Sequence, residues 1–236
     1  MKPLDELPRC TACPPRARGV FCSLTGSNLL KLERKKIAHE YERGQIIFYE
    51  GNPALAAYCL CSGVVKLYKT GREGKRFLIR LLGPSELLGY RAIVADEAYA
   101  ATAEAVVTAT LCTVAGDTLR ELIRDDVDFT MRLMVKFAGE LRLSEDQCLM
   151  RTQESVRQRT ARFLIWVLEN LQSPSRAGNK IDLPLLREDM AQMIGTAPET
   201  LSRVFRELSR EKIIALDRKT ITVAKLQVLR RIATQG

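Results

Sequence analysis

The sequence predicts an α+β chain in three parts: an N-terminal antiparallel β-roll, one long helix, and a C-terminal helical unit closed by a small hairpin. Three observations carry this reading. Between Arg43 and Gly116, short runs rich in Val, Ile, Leu and Tyr alternate with glycine-marked turns, the pattern of antiparallel rolls and sandwiches. From Val127 to Cys148 apolar residues recur seven apart, the repeat of a helix that pairs along one seam. Beyond Arg157 the order is helix, helix, hairpin and a last short helix.

Residues 1–27 read as an irregular segment holding Cys10, Cys13, Cys22, Pro14-Pro15 and Gly19. A short polar helix is expected over 28–42, within a sensor domain spanning 28–126. Its strand candidates are Gln45–Tyr49, Ala57–Cys61, Val64–Tyr68, Phe77–Leu82 and Ala101–Val114, with turns at Gly51-Asn52-Pro53, Gly71–Gly74 and Gly83-Pro84. Cys59 and Cys61, at i and i+2, share a strand face and read as core. His39 is the only histidine and reads as a surface residue.

Helical sequence begins at Asp117, and a long helix runs from Val127 to about Glu154, giving a dimerisation segment over 127–156. Val127, Met134, Leu141 and Cys148 form one row of its seam, and Met131, Ala138 and Glu145 the other. The seam implies a second copy of the chain as partner. Glu145, with Asp146 beside it, would bring like carboxylates together across the pair and oppose it.

Residues 157–236 carry a helix over 157–172, a loop at Ser173–Asn179, helices Leu185–Ile194 and Pro198–Ser209, a hairpin around Asp217-Arg218-Lys219 and a final helix. This is the order of a winged helix-turn-helix. Gly195 suits a left-handed turn after the first helix, and Pro198 suits the first turn of the second. Leu201, Val204, Phe205 and Leu208 make the second helix's buried face, which leaves Glu199, Ser202, Arg203 and Arg206 outward. A carboxylate there can accept from cytosine, and an arginine can fork onto guanine. Lys219, in the wing, is placed to meet phosphate. Ala197 is a poor N-cap where Ser or Thr would serve better. Charge agrees: there are 15 basic and 8 acidic residues from Arg157 onward, against 22 and 20 before it, so a polyanion such as double-stranded DNA suits the C-terminal part.

Other classes are poorly served. No run of 18 apolar residues occurs, so no membrane span is expected. The start carries no signal-peptide pattern, which suggests a cytoplasmic protein with reduced cysteines that act as ligands, reactive thiols or packing groups rather than structural disulfides. One histidine and no recognisable nucleophile–base motif speak against an enzyme.

The stretch Glu199-Thr-Leu-Ser-Arg203, with Met193-Ile-Gly195 before it and the wing Ile213–Val223 after it, resembles the C-terminal domain of the Crp/Fnr regulators. The likeness covers nearly the whole chain, and the roll then corresponds to a cyclic-nucleotide-binding-like jelly roll. The Glu-x-x-Ser-Arg form is similar to the Fnr branch. It implies that Glu199, Ser202 and Arg203 read a TTGA-type half-site, that the protein is a homodimeric transcription regulator, and that RNA polymerase is a partner.

Ser85-Glu86-Leu87-Leu88-Gly89 is similar to the turn before the family's phosphate cassette. Yet Tyr99-Ala100-Ala101 stands where an Arg-Ser/Thr pair belongs, and no Lys or Arg lies between Arg91 and Arg120. A buried phosphate needs such a cation, so no cyclic nucleotide is expected. Cys112, in Thr110-Leu-Cys-Thr-Val114, resembles the remote fourth ligand of Fnr. The resemblance implies a [4Fe–4S] cluster held by Cys10, Cys13, Cys22 and Cys112 that senses oxygen, nitric oxide or redox state. Arg9, Arg16 and Arg18 would offset its charge. The eight residues between Cys13 and Cys22 depart from the familiar Fnr spacing. A four-cysteine zinc site, a thiol–disulfide switch, an empty site, or a cluster-free regulator with a small-molecule effector in the roll stay open. Cys148 reads as seam packing.

Overall fold

The computed structural model describes residues 9–71, 74–171, 179–182, 185–217 and 220–234, and the backbone of residues 2–3. Contacts divide the chain into two compact units, one of residues 1–76 and 81–142, the other of 143–236 with 77–80.

The first unit is a roll of two antiparallel sheets. Strands β1 (Lys2–Pro3), β2 (Ile37–Tyr41), β4 (Ala56–Ser62), β7 (Leu87–Leu88) and β9 (Ala109–Ala115) form a sheet of order β1-β2-β9-β4-β7. Strands β3 (Ile46–Phe48), β5 (Val65–Thr70), β6 (Arg76–Leu82) and β8 (Thr102–Ala105) form another, of order β3-β8-β5-β6. The apolar run expected as one strand over Ala101–Val114 breaks at Val106–Thr108. That break lets β8 join one sheet and β9 the other.

Helix α1 is Pro14–Arg18 and α2 is Gly26–Lys35. The helix expected to run through residue 42 therefore stops early, and residues 37–41 are strand β2. Pairing explains the difference: Ala38 lies opposite Cys112 of β9, and Tyr41 opposite Ala109. Ala38 faces one apolar cluster and Tyr41 the other, a strand alternation that tertiary pairing imposes over a polar, helix-like local sequence.

Helix α3 (Tyr90–Ala95), which the sequence pattern did not suggest, follows Gly89 in the left-handed region at φ 74°. Helix α4 (Gly116–Asp125) leads into α5 (Val127–Gln153), and the Asp126 carboxylate accepts from Phe129 N–H at 2.9 Å as its N-cap.

Between the sheets lies a core of Tyr41, Phe48, Leu60, Leu88, Tyr99 and Leu111, among others. On the outer face of the first sheet a second core holds Cys59 and Cys112 with Phe21, Leu24, Leu119, Leu122, Phe129 and Leu133. Phe21 stacks on Phe129, ring centres 5.4 Å apart, so the cysteine-bearing segment is packed directly on the long helix.

The second unit has α6 (Val156–Asn170), β10 (Lys180–Ile181), α7 (Arg187–Ile194), α8 (Pro198–Arg210), β11 (Ile214–Asp217), β12 (Thr220–Val223) and α9 (Leu226–Thr234), with a sheet of order β10-β12-β11. Ser155 and Gln158 form a capping box at the start of α6. The loop expected at Ser173–Asn179 lies almost wholly outside the described residues.

Phe129 is fully buried. Phe129→Ala should therefore destabilise the N-terminal unit by about 3–5 kcal/mol, read as a lower urea midpoint by tyrosine fluorescence or circular dichroism.

Candidate functional site

Strand β9 sets the thiol arrangement. Cys112 is flanked by Ala38 on β2 and Cys59 on β4. The ladder slips between Leu60 and Ser62, so Cys61 is the extra residue of a β-bulge. Its Sγ lies 3.4 Å from Cys112 Sγ. All seven cysteines are free. Cys10 is buried in the same apolar cluster as Cys59 and Cys112, and its N–H donates to Glu33 Oε1 at 3.1 Å. Cys13 and Cys22 are half-buried, and Cys148 is exposed on α5.

A cation that the sequence reading missed sits among these thiols. Lys36, between α2 and β2, hydrogen-bonds the Cys10 side chain and feels Cys112 and Cys13. Burial disfavours its charge, but those sulfur groups outweigh burial and its pKa is raised. A helix through residue 42 would hide it, because only the strand pairing of Ala38 with Cys112 brings Lys36 to the thiols. Arg16 instead donates to the carbonyls of Cys22 and Leu24, tying the segment's backbone, while Arg9 and Arg18 are exposed.

Burial raises the Cys10 pKa, with Lys36 pulling the other way. Contact with Cys112 lowers that of Cys61, yet the Cys59 interaction and burial push it up to about 12. Contact with Cys61 and then burial hold Cys112 well above the usual thiol range. These thiols thus keep their protons near neutrality, and a metal would have to displace them.

Among the described residues no three His, Cys, Asp or Glu side chains are already gathered as a closed metal-holding group. The donor chemistry nonetheless suits a thiolate-ligated centre: Cys10, Cys13 and Cys112 share Lys36 as neighbour, and Cys22 follows on the 3-10 turn Val20–Ser23. His39 is half-buried on β2, its ring 6.5 Å from that of Tyr41.

The interior of the roll is occupied by aromatic side chains. Tyr99 stacks on Phe48 at 4.1 Å, and Phe48 on Tyr58 at 5.4 Å. The Tyr99 hydroxyl donates to Ala56 O at 2.6 Å and accepts from Ala56 N–H at 3.2 Å. A Cβ at Gly89 would come within 2.9 Å of the Tyr99 ring, so the turn and the tyrosine are fitted to each other. Glu86 in that turn pairs with Lys136 of α5, which also pairs with Glu140 at 3.2 Å.

Phe129 and Leu133 are the buried residues of α5, and Lys136, Phe137 and Glu140 are half-buried. Val127, Met131, Met134, Ala138, Leu141, Glu145 and Cys148 are all exposed. So is Val135, which the heptad count left out; Val127 is 75% and Val135 69% accessible. An apolar stripe of this length on one helix face is unusual for a surface that stays in water.

In the second unit α8 buries Leu201, Val204, Phe205 and Leu208. Glu199, Arg203 and Arg206 are exposed, Ser202 is half-buried, and Arg206 Nε donates to Ser202 O at 3.3 Å. Ala197 offers no side-chain cap, and Pro198 opens the helix. Gly195 ends α7 at φ 74°, where Arg159 Nε donates to Ile194 O at 2.9 Å and Arg159 Nη2 to Gly195 O at 3.2 Å. The guanidinium of Arg187 lies 4.5 Å over the Phe205 ring. Lys219 lies outside the described residues; β11 and β12 pair from Ile214↔Val223 to Asp217↔Thr220 on either side of it.

Residues 38–126 match the cyclic nucleotide-binding domain model, and residues 158–232 the Crp-like helix-turn-helix domain model. The transcriptional activator FnrL of Cereibacter sphaeroides is 28% identical, covering 92% of this chain and 89% of its own. The transcriptional activatory protein AadR of Rhodopseudomonas palustris is 27% identical over 88% and 86%. A CRP-like cAMP-activated global transcriptional regulator of Mycobacterium tuberculosis is 23% identical over 91% and 96%. Among solved structures, FixK2 from Bradyrhizobium japonicum shares the fold with a TM-score of 0.74 at 24% identity, covering 85% of this chain and 98% of that one. No helix among the described residues is long and apolar enough to cross a membrane.

Removing the cation beside Cys10 should make its thiolate harder to form. In Lys36→Met, alkylation of Cys10 by iodoacetamide should therefore be slower than in the wild type, followed by time-resolved mass spectrometry of the Cys10 peptide.

Proposed function

The chain belongs to the Crp/Fnr family of DNA-binding transcriptional regulators, and from that premise we propose an Fnr-like regulator that holds a [4Fe–4S] cluster and binds a TTGA-type palindrome as a homodimer. The observation that carries the cluster reading is that Cys10, on the N-terminal segment, and Cys112, on β9, lie in one buried cluster. Cys13 and Cys22 complete the proposed ligand set. When bound, such a cluster supplies an iron–sulfur centre that reacts with oxygen, nitric oxide or redox agents. A cyclic nucleotide is a poor alternative here, because Tyr99 and Phe48 occupy the roll interior and no arginine stands where the phosphate would need one.

The segment bearing three of the proposed ligands rests on α5 through Phe21 and Phe129. Rearranging that segment changes how α5 is supported and so where its exposed stripe points. The stripe is the proposed dimer seam, and the carboxylates of Glu145 and Asp146 weaken it until the helix is correctly held. Glu199, Ser202 and Arg203 then read base edges, while Arg206 and Lys219 meet phosphates and RNA polymerase engages the bound dimer.

Two measurements test this. Arg203→Ala should cost about 1–3 kcal/mol on a TTGA-type palindrome and relax preference at its base, whereas Lys219→Ala should weaken all sequences alike and lower the salt slope by about one. Unchanged base preference in Arg203→Ala would mean another helix reads the DNA. After anaerobic purification the protein should carry iron and acid-labile sulfide with a brown chromophore, lost in each of Cys10→Ser, Cys13→Ser, Cys22→Ser and Cys112→Ser and kept in Cys148→Ser. Zinc without iron would overturn the cluster reading.

A further inference from the structure

Cys61 has no part in the ligand set above, yet its sulfur touches that of Cys112. The contact is built by the backbone. Strand β9 is paired on both edges, with β2 and β4, so Cys112 cannot slide along its neighbours. The slip between Leu60 and Ser62 adds one residue to β4 at this level. Cys61, two residues after Cys59, lies on the same face as Cys59 and Cys112, and as the extra residue of the bulge it has no ladder partner of its own. The sulfurs stand 3.4 Å apart, and a disulfide needs about 2.05 Å. The two sulfurs must therefore approach by about 1.4 Å to bond. Cys61 is half-buried and Cys112 is buried, so Cys61 is the more accessible thiol of the two.

We propose that Cys61 and Cys112 are a redox pair that closes to an intramolecular disulfide under a two-electron oxidant such as a peroxide. Both S–H bonds break and one S–S bond forms. The two protons and two electrons reduce the peroxide O–O bond, releasing two waters from hydrogen peroxide. The closed pair withholds the Cys112 sulfur from any metal. That consequence rests on the cluster reading; the pair itself does not. Cluster-free protein would therefore have a second, oxidant-dependent state that cannot be reloaded until a thiol reductant reopens it.

Full-length protein, freed of metal by a chelator under anaerobic conditions, is treated with hydrogen peroxide or diamide, blocked with iodoacetamide and digested with trypsin. The expected product joins Gly44–Lys66 to Ala92–Arg120, and its mass is that of the two reduced peptides less two hydrogens plus one carbamidomethyl group on Cys59. Because the first peptide also holds Cys59, the variants decide the partner. The link should persist in Cys59→Ser and vanish in Cys61→Ser and Cys61→Ala. Recovery of both peptides with alkylated thiols while other cysteines are oxidised overturns the pair, as does a link that survives in both Cys61 variants. Reloading with ferrous iron and sulfide is then compared before and after dithiothreitol. Uptake that is lost in the oxidised wild type, restored by reductant and insensitive to oxidant in Cys61→Ser supports the lock. Equal uptake by linked and reduced protein overturns it. A link in protein that never takes up iron removes the cluster reading and leaves the pair standing, whereas iron uptake without a link does the reverse.

Discussion

The sensor unit depends on strand β9 being gripped along both edges. Successive side chains of a strand point to opposite faces, so a one-residue slip would exchange its two populations. In the register observed, Leu111 joins the interior of the roll and Cys112 joins the outer core with Cys10, Phe21 and Phe129. Double pairing with β2 and β4 makes the slip costly, because two ladders would have to break together. The arrangement of thiols is thus a by-product of sheet register before any metal is considered.

Around that frame the helices divide their labour by face. Helix α5 turns Phe129 and Leu133 into the core, and further along the helix Lys136 pairs with both Glu140 and Glu86 of the turn. On its other side Val127, Met131, Met134, Val135 and Leu141 are exposed. The C-terminal unit is organised differently, by groups that satisfy backbone ends. Arg159 fills the acceptor positions left at the end of α7, and Arg157 grips Glu211 beyond α8 through two hydrogen bonds of 2.7 and 2.6 Å. The turn between α7 and α8 and the residue after α8 are thus both anchored to α6, which leaves the outward face of α8 to present side chains from a supported base.

Much of this was legible in the residues. The seven-residue repeat located α5 to within a residue, and the apolar row Leu201, Val204, Phe205, Leu208 located the buried face of α8, because both are local periodicities. Non-local pairing was not legible. Strand β2 looked helical because Glu40, Glu42 and Arg43 surround its few apolar residues, and nothing in the chain announces that β9 will claim it. With β2 misread, Lys36 could not be placed beside Cys10. The bulge at Cys61 was equally invisible, since a slip in register is a relation between two strands rather than a property of either. Cys59 and Cys61 were grouped correctly on one face, but the closeness of Cys61 to Cys112 came only from three dimensions.

The exposed stripe on α5 makes abundance itself a variable. If its burial requires a second copy, the fraction of paired chains is set by mass action. While single chains predominate, the number of pairs rises with the square of the protein's concentration, and so does the occupancy of any site that only a pair can grip. A modest change in how much of the chain a cell makes would then be felt more than proportionally at its operators. On that reading, the stretch of valines, methionines and leucines from Val127 to Leu141 would give gene dosage a part in the response beside whatever the thiols detect.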